Sequence, residues 1–392
     1  MERIFSCFKQ SKLLNAVFLS NIFLSFHYYL IIYVNSTFLN TIFSETQVST
    51  LYIIAACINT LLLLNASKIL ASIGNYKMAI YAITIQLLAM SGVIVSTNRF
   101  LTGFFFILME LCIPAILFSL DIFLESASGD ETKTGDIRGI FLTLSNITLV
   151  IAPSIVGVLL LGNVYGYVYG LSVLFLIPLY YVIRKYFSGY VDGPANHIQI
   201  RQTIREYLRD QKLYNIFSIY FLLQLFYAFM VVYTPMYLTR YIGFSWAETG
   251  VMFTIMLLPF ILFELPVGDL ADRKYGEKEF LTIGLVIMGL STMFISFITV
   301  KSFFIWTAIL FLTRTGASIV EVTSDSYFFK MVNQNKTDVI SFYRVARPLS
   351  YIIAPIIATL SLQFIPFEYT FIIIGICMII GTHFSMALVD SR

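Results

Sequence analysis

Long apolar runs alternate with short polar segments along the whole of this chain. Twelve such runs can be counted, at residues 13–36, 47–70, 76–97, 100–123, 138–162, 165–187, 213–238, 248–267, 279–300, 302–325, 339–362 and 367–388. A helix needs about 20 apolar residues to cross a bilayer, and each run is that long. The pattern therefore predicts twelve transmembrane helices.

The composition agrees with a membrane protein. Of the 392 residues, 58% are hydrophobic and only 12% are charged, whereas soluble domains carry about 25% charged residues. A water-soluble fold of this size has no interior large enough to hide so much apolar surface. The length of the runs favours helices over barrel strands, so we predict an all-α membrane protein.

The basic residues predict the orientation of the helices. If the N-terminus lies in the cytoplasm, 19 of the 25 lysines and arginines fall on the cytoplasmic side. Only Arg99, Arg240 and Lys301 fall outside, and the rest lie within spans. Because basic residues concentrate in cytoplasmic loops, we predict a multi-pass protein of the cytoplasmic (inner) membrane with both termini in the cytoplasm. The net charge of +3 then reflects membrane orientation, and no nucleic-acid partner is expected.

The chain repeats itself at an offset of about 202 residues. The matching landmarks are Asp136 and Asp338, residues 151–153 and 353–355, Gly74 and Gly276, and Arg99 and Lys301. Internal repeats of this kind are typical of transporters. They predict two pseudo-symmetric six-helix halves, residues 1–187 and 213–392.

The two halves are joined by a cytoplasmic linker, residues 188–212. Within it Ile200, Ile204 and Leu208 recur every fourth residue, with arginines 201, 205 and 209 on the adjacent face. This spacing predicts an amphipathic helix. Two interpretations stand: the helix lies on the membrane surface, or it is a solvated connection.

A charged turn between the eighth and ninth runs carries the most specific motif. Its residues are Glu264 and Pro266, followed by Gly268, Leu270, Ala271, Asp272, Arg273, Gly276 and Lys278. The turn resembles the loop between the second and third helices of each half of a major facilitator superfamily (MFS) transporter. One extra residue is present, because Lys274 and Tyr275 stand where that family usually has one.

The resemblance implies a gating role for this turn. Gly268, Asp272, Arg273 and Gly276 would help to latch the outward-open state from the cytoplasmic side, with Asp325 as the partner of Arg273. The corresponding loop of the first half, residues 66–77, lacks the acidic residue and the arginine. The gating inference therefore applies to the second half alone.

Charged residues inside the predicted spans are the main candidates for a functional site. Glu110 lies near the middle of the fourth span, and the tenth span carries Arg314, Glu321 and Asp325 on one face. In the resembled family the first and fourth helices of each half line the central cavity. That places Glu110, Arg314 and Glu321 in a substrate or proton pathway, although a fixed ion pair that only joins helices is the alternative.

Other polar residues extend this candidate pathway. Arg347 in the eleventh span is a candidate for drawing an anionic substrate or for pairing with a carboxylate. Asn21 in the first span, and Gln224 and Tyr227 in the seventh, suit hydrogen bonds to a substrate. Hydrogen bonds between helices would explain the same three residues.

Together these features predict a secondary active transporter that moves a small solute by alternating access. Glu110 and Glu321 are titratable and no ATP-binding motif is present, so we expect proton coupling, with either residue as the proton site. Residues 152–157 resemble an antiporter signature, which indicates drug or metabolite export, or else close helix packing. The alternatives are a membrane-embedded transferase and a non-transporting receptor of the same fold. We expect a non-enzymatic monomer, with a small-molecule substrate and membrane lipid as partners and without cofactor or metal.

Overall fold

Helices make up the regular structure of a computed structural model that describes residues 12–128, 134–191, 200–271, 276–332 and 337–388, and no strand occurs in those ranges. The helices up to residue 187 are α1 Lys12–Ile31, α2 Asn35–Leu39, α3 Glu45–Leu64, α4 Ala66–Ile73, α5 Asn75–Val95, α6 Arg99–Ser128, α7 Thr134–Leu159 and α8 Tyr165–Phe187. They are followed by α9 Ile200–Arg209, α10 Gln211–Met236, α11 Trp246–Leu257, α12 Pro259–Leu262, α13 Glu264–Leu270, α14 Glu277–Ile295, α15 Phe303–Met331, α16 Thr337–Ser361 and α17 Thr370–Met386. A π-helical turn, Tyr237–Ile242, continues α10, and a 3₁₀ turn, Phe367–Tyr369, precedes α17.

Eleven helical segments in the described ranges are long and apolar enough to cross a membrane. They coincide with eleven of the twelve predicted runs, which confirms a multi-pass helical membrane protein. The remaining run, 339–362, forms the helix α16 but is not among the eleven. Its polar content, which includes Arg344 and Arg347, lowers its hydropathy.

The chain divides into two compact units. One consists of Met1–Phe43 and Ile54–His197, and the other of Ser44–Ile53 and Ile198–Arg392. The start of α3 therefore belongs with the second unit, where the Ser49 hydroxyl lies 2.7 Å from the hydroxyl of Tyr233. The rest of α3 belongs to the first unit.

The same glycine turn occurs once in each unit. Gly74 precedes α5 with φ 80° and ψ 157°, and Gly276 precedes α14 with φ 89° and ψ 160°. This backbone region is essentially restricted to glycine. The two residues are related by the offset that the sequence repeat predicts, so the repeat extends to backbone conformation.

Helices in the second unit approach each other closely at glycines. A Cβ atom placed on Gly316 of α15 would lie 2.5 Å from the backbone nitrogen of Met288 in α14. A Cβ on Gly375 of α17 would lie 2.7 Å from the carbonyl oxygen of Gly289, also in α14. Small residues at these crossings let the helix backbones meet, as is common in membranes. The contact fixes the position of α15, which carries Arg314 and Glu321.

A buried histidine joins three helices of the first unit. His27 of α1 has its Nδ1 2.7 Å from the Ser172 hydroxyl of α8, and its Nε2 2.9 Å from the amide nitrogen of Gln86 in α5. All three residues are fully buried. Since both ring nitrogens are engaged, this histidine serves as a packing and hydrogen-bonding centre of the unit.

Candidate functional site

The second unit contains a cluster of polar and aromatic side chains between α10 and α15. Arg314 and Glu321 lie two turns apart on α15 and so share one face. Tyr227 of α10 faces them, and its hydroxyl donates a hydrogen bond of 2.7 Å to Oε2 of Glu321. The spacing predicted from the sequence therefore brings an arginine and a carboxylate to the same part of the unit, and α10 supplies a phenol to the carboxylate.

Arg314 is the most deeply buried charged residue of the cluster, at 1% exposure. Its guanidinium carbon lies 5.0 Å from the ring centroid of Phe226 and 5.5 Å from that of Tyr227. Its Nε atom has no hydrogen-bond partner among the described residues. A buried charge without a hydrogen-bonded counter-ion is costly, and cation–π contacts compensate only in part, by about 2 kcal/mol when desolvated. The Nε atom of Arg314 is therefore a buried hydrogen-bond donor that no described residue satisfies.

Glu321 is half-buried and does not form an ion pair with Arg314 within 4 Å in the described structure. Arg314 and the exposed Arg347 of α16 both lie within electrostatic range of its carboxylate. Tyr220 of α10 lies within range of the same carboxylate, of Asp325 and of Arg347. The cluster thus combines titratable and cationic groups along one side of α10.

Gln224 and Tyr227, both predicted site residues, lie on α10 with Tyr220 at helical spacing. Gln224 is buried, with 6% exposure, and Tyr227 is half-buried. Tyr220 and Phe226 were not among the predicted site residues. Tyr220 could have been found from its helical spacing with Gln224 and Tyr227. Phe226 could not, because it is one of many phenylalanines in apolar runs.

Glu110 of α6 lies in a second polar group, inside the first unit. Its Oε1 accepts a hydrogen bond of 3.1 Å from the amide of Asn35, and its backbone oxygen accepts one of 2.9 Å from Asn59. The Tyr169 hydroxyl donates to Oδ1 of Asn35 at 2.9 Å. Asn35, Asn59 and Tyr169 lie on α2, α3 and α8, and sequence reasoning missed them because no local spacing relates them to Glu110.

Asn21 of α1 is buried, and its side chain bonds within the first unit. Its amide nitrogen donates to the backbone oxygen of Phe141 in α7 at 2.7 Å. The Ser25 hydroxyl, one turn further along α1, lies 3.0 Å from that of Ser145. These bonds join α1 to α7, so the side chain of Asn21 forms a contact between helices.

The gating motif is described in part. Gly268 lies in α13, where an added Cβ would lie 3.5 Å from the side chain of Val322, and Gly276 forms the turn before α14. Asp272 and Arg273 lie outside the described residues. Asp325 is half-buried near the end of α15. In the described part of the chain, no group of three or more His, Cys, Asp and Glu residues is placed to hold a metal ion.

A family model matches the second part of the chain. The family model described as Major Facilitator Superfamily matches residues 216–391, which run from α10 to beyond α17 and include the Arg314 cluster and the glycine turn at Gly276. A search of curated proteins finds no match to the chain.

Proposed function

We propose that the chain is a membrane transporter of the Major Facilitator Superfamily, whose model matches residues 216–391. In this proposal it is a proton-coupled secondary transporter with twelve spans in two six-helix halves. It moves a small solute across the cytoplasmic membrane by alternating access. The observation that carries the proposal is the cluster of Arg314, Tyr227 and Glu321 inside the second unit. Intramembrane ionisable groups of this kind mark substrate or proton pathways.

The solute carries an anionic group that Arg314 binds. The guanidinium is buried, its Nε has no hydrogen-bond partner among the described residues, and Glu321 is already engaged by Tyr227. A carboxylate or phosphate of the solute would accept a hydrogen bond from this nitrogen, since guanidinium groups bind both in a bidentate manner. Phe226 and Tyr227 would then contact the apolar part of the solute beside that group.

Glu321 is the proton site in this proposal. Protonation removes one negative charge from a cluster that also holds Arg314 and Arg347, so the affinity of the cluster for an anionic solute rises. Binding of the proton then strengthens binding of the solute, and the reverse. A ligand that binds one conformation better shifts the conformational equilibrium towards it. Glu110 has a different environment: the Asn35 amide donates to its carboxylate while Asn35 itself accepts from Tyr169, so this carboxylate takes part in the packing of the first unit.

The proposal is tested by uptake into proteoliposomes that contain the purified chain. A panel of metabolites and drugs is offered with and without an inward proton gradient, in pairs that differ by a carboxylate and its neutral amide. We expect accumulation of an anionic member of a pair, dependent on the gradient and absent from empty liposomes. Arg314→Gln should abolish it, whereas Arg184→Gln, at an exposed arginine of α8 in the first unit, is the control. Gradient-independent uptake, or uptake of the amide alone, would contradict the proposal.

A further inference from the structure

The helix α9, Ile200–Arg209, attaches to the second unit through a narrow face. Thr203 and Tyr207 are buried, at 2% and 3% exposure. The Tyr207 hydroxyl donates 2.8 Å to the backbone oxygen of Val339. Its ring packs edge-on against Phe217 of α10, with 5.4 Å between ring centroids, and at a tilt against Phe342 of α16, with 4.8 Å between centroids. Tyr207 therefore fixes both the position of α9 and its rotation about its own axis.

That rotation leaves the apolar stripe of the helix uncovered. Ile204 is 39% exposed and Leu208 is 70% exposed. At about 100° per residue, these two side chains lie next to the buried face. Arg205 and Arg209, both exposed, follow them around the helix, on the side opposite the protein. The order around α9 is therefore protein, apolar stripe and basic stripe.

The position of α9 along the chain places it at a membrane surface. A single residue, Asp210, separates it from α10, and the candidate span Gln211–Ile242 begins there. Oδ1 of Asp210 accepts hydrogen bonds from the backbone nitrogens of Lys212 and Leu213, at 2.9 and 3.3 Å, which fixes the start of α10. The apolar stripe is thus held beside the end of a candidate span.

We propose that α9 is a lipid-docking helix that binds anionic phospholipid. Ile204 and Leu208 enter the boundary between headgroups and acyl chains, and Arg205 and Arg209 bind the headgroup phosphates. Charge complementarity favours this occupant, because amphipathic helices with an apolar face and an adjacent basic face bind anionic membrane surfaces. The half-buried Glu206 is rotated away from the apolar stripe and does not oppose the contact. Docking would tether the start of α10, which carries Tyr227, to the leaflet.

The test measures the depth of α9 in vesicles of defined composition. Nitroxide labels are attached at Leu208→Cys, or at Gln202→Cys on the exposed polar face, in the full chain with its native cysteines replaced by serine. Each protein is reconstituted in phosphatidylcholine, or in equal parts of phosphatidylcholine and phosphatidylglycerol. Accessibility to oxygen and to a water-soluble nickel chelate is then compared.

We expect the label at position 208 to be shielded from the chelate and open to oxygen in the anionic vesicles, and less shielded in phosphatidylcholine. The label at position 202 should remain open to the chelate in both. Arg205→Gln combined with Arg209→Gln should remove the dependence on phosphatidylglycerol. Since both arginines are exposed, these changes should not affect folding, and size-exclusion chromatography checks this.

Three results would overturn the proposal. In the first, the chelate reaches position 208 as readily as position 202 in anionic vesicles, which indicates a solvated helix. In the second, shielding is equal in the two lipid compositions, which removes the role of the arginines. In the third, inorganic phosphate added to phosphatidylcholine vesicles reproduces the effect of phosphatidylglycerol, which indicates a free anion as the ligand in place of lipid.

Discussion

Replacing Gly316 with alanine tests how tightly α15 is held against α14. The new Cβ would lie 2.5 Å from the backbone nitrogen of Met288 and 2.7 Å from the carbonyl oxygen of Gly284. Both are backbone atoms, so neither can be relieved by a side-chain rotation, and the two helices must separate. Overpacking of this kind costs about 1–3 kcal/mol. Alanine recovers about 1 kcal/mol through its higher helix propensity, which leaves a net loss of up to roughly 2 kcal/mol.

The matched control is Gly170→Ala in α8, where an added Cβ meets no atom within 4 Å. Helix propensity alone acts there, so the control should be as stable as the parent or slightly more stable. Each variant is heated in detergent, and the fraction that remains monodisperse is measured by size-exclusion chromatography. We expect a lower midpoint for Gly316→Ala alone. Equal midpoints for that variant and the parent would refute the close helix contact.

The same change has a functional consequence, because α15 carries Arg314 and Glu321. Separation of α15 from α14 displaces both side chains relative to Tyr227, whose bond to Glu321 is 2.7 Å long. We therefore expect Gly316→Ala to reduce uptake more than its loss of folded protein explains. Uptake normalised to monodisperse protein measures this. Parental uptake after normalisation would show that the cluster tolerates the shift.

Three further predictions concern gating, topology and an ion pair. Asp272→Asn should slow transport while equilibrium solute binding stays near normal, as measured by uptake and binding on the same preparation; unchanged uptake would exclude the latch. Reporter fusions at residues 205 and 392 should both report the cytoplasm, and a periplasmic signal from either would reject the predicted topology. Lys330→Met should lower stability by about 1–3 kcal/mol in thermal unfolding, because it removes a cationic partner of the buried Glu277. Adding Glu277→Gln should recover part of the loss. An unaltered unfolding midpoint for Lys330→Met alone would contradict this prediction.

The spans were predictable because the bilayer imposes one length on each of them. Interruptions of the helices within these runs were harder to predict. The run at 47–70 is broken at Asn65, where α3 gives way to α4, and the run at 13–36 contains the end of α1 at Ile31. Hydropathy is averaged over about 19 residues, so a single residue outside helical geometry does not alter it.

The candidate site was predictable only along single helices. The placement of Arg314 and Glu321 on one face follows from helical periodicity, whereas the bond from Tyr227 to Glu321 depends on how α10 packs against α15. Asn35 and Tyr169 escaped notice for the same reason, since tertiary packing alone brings them to Glu110. The apolar stripe of α9 could be predicted from the sequence. The sequence did not indicate that Thr203 and Tyr207 would be the residues that face the protein.

The most direct test of the account compares Glu321→Gln with Glu110→Gln in proteoliposomes, using the anionic solute that the panel identifies. Two quantities are measured for each protein: accumulation driven by a proton gradient, and exchange of labelled for unlabelled solute without a gradient. The account predicts that Glu321→Gln loses gradient-driven accumulation and keeps exchange, whereas Glu110→Gln keeps the response to the gradient. If Glu321→Gln accumulates solute like the parent, Glu321 is not the proton site and the central claim is contradicted.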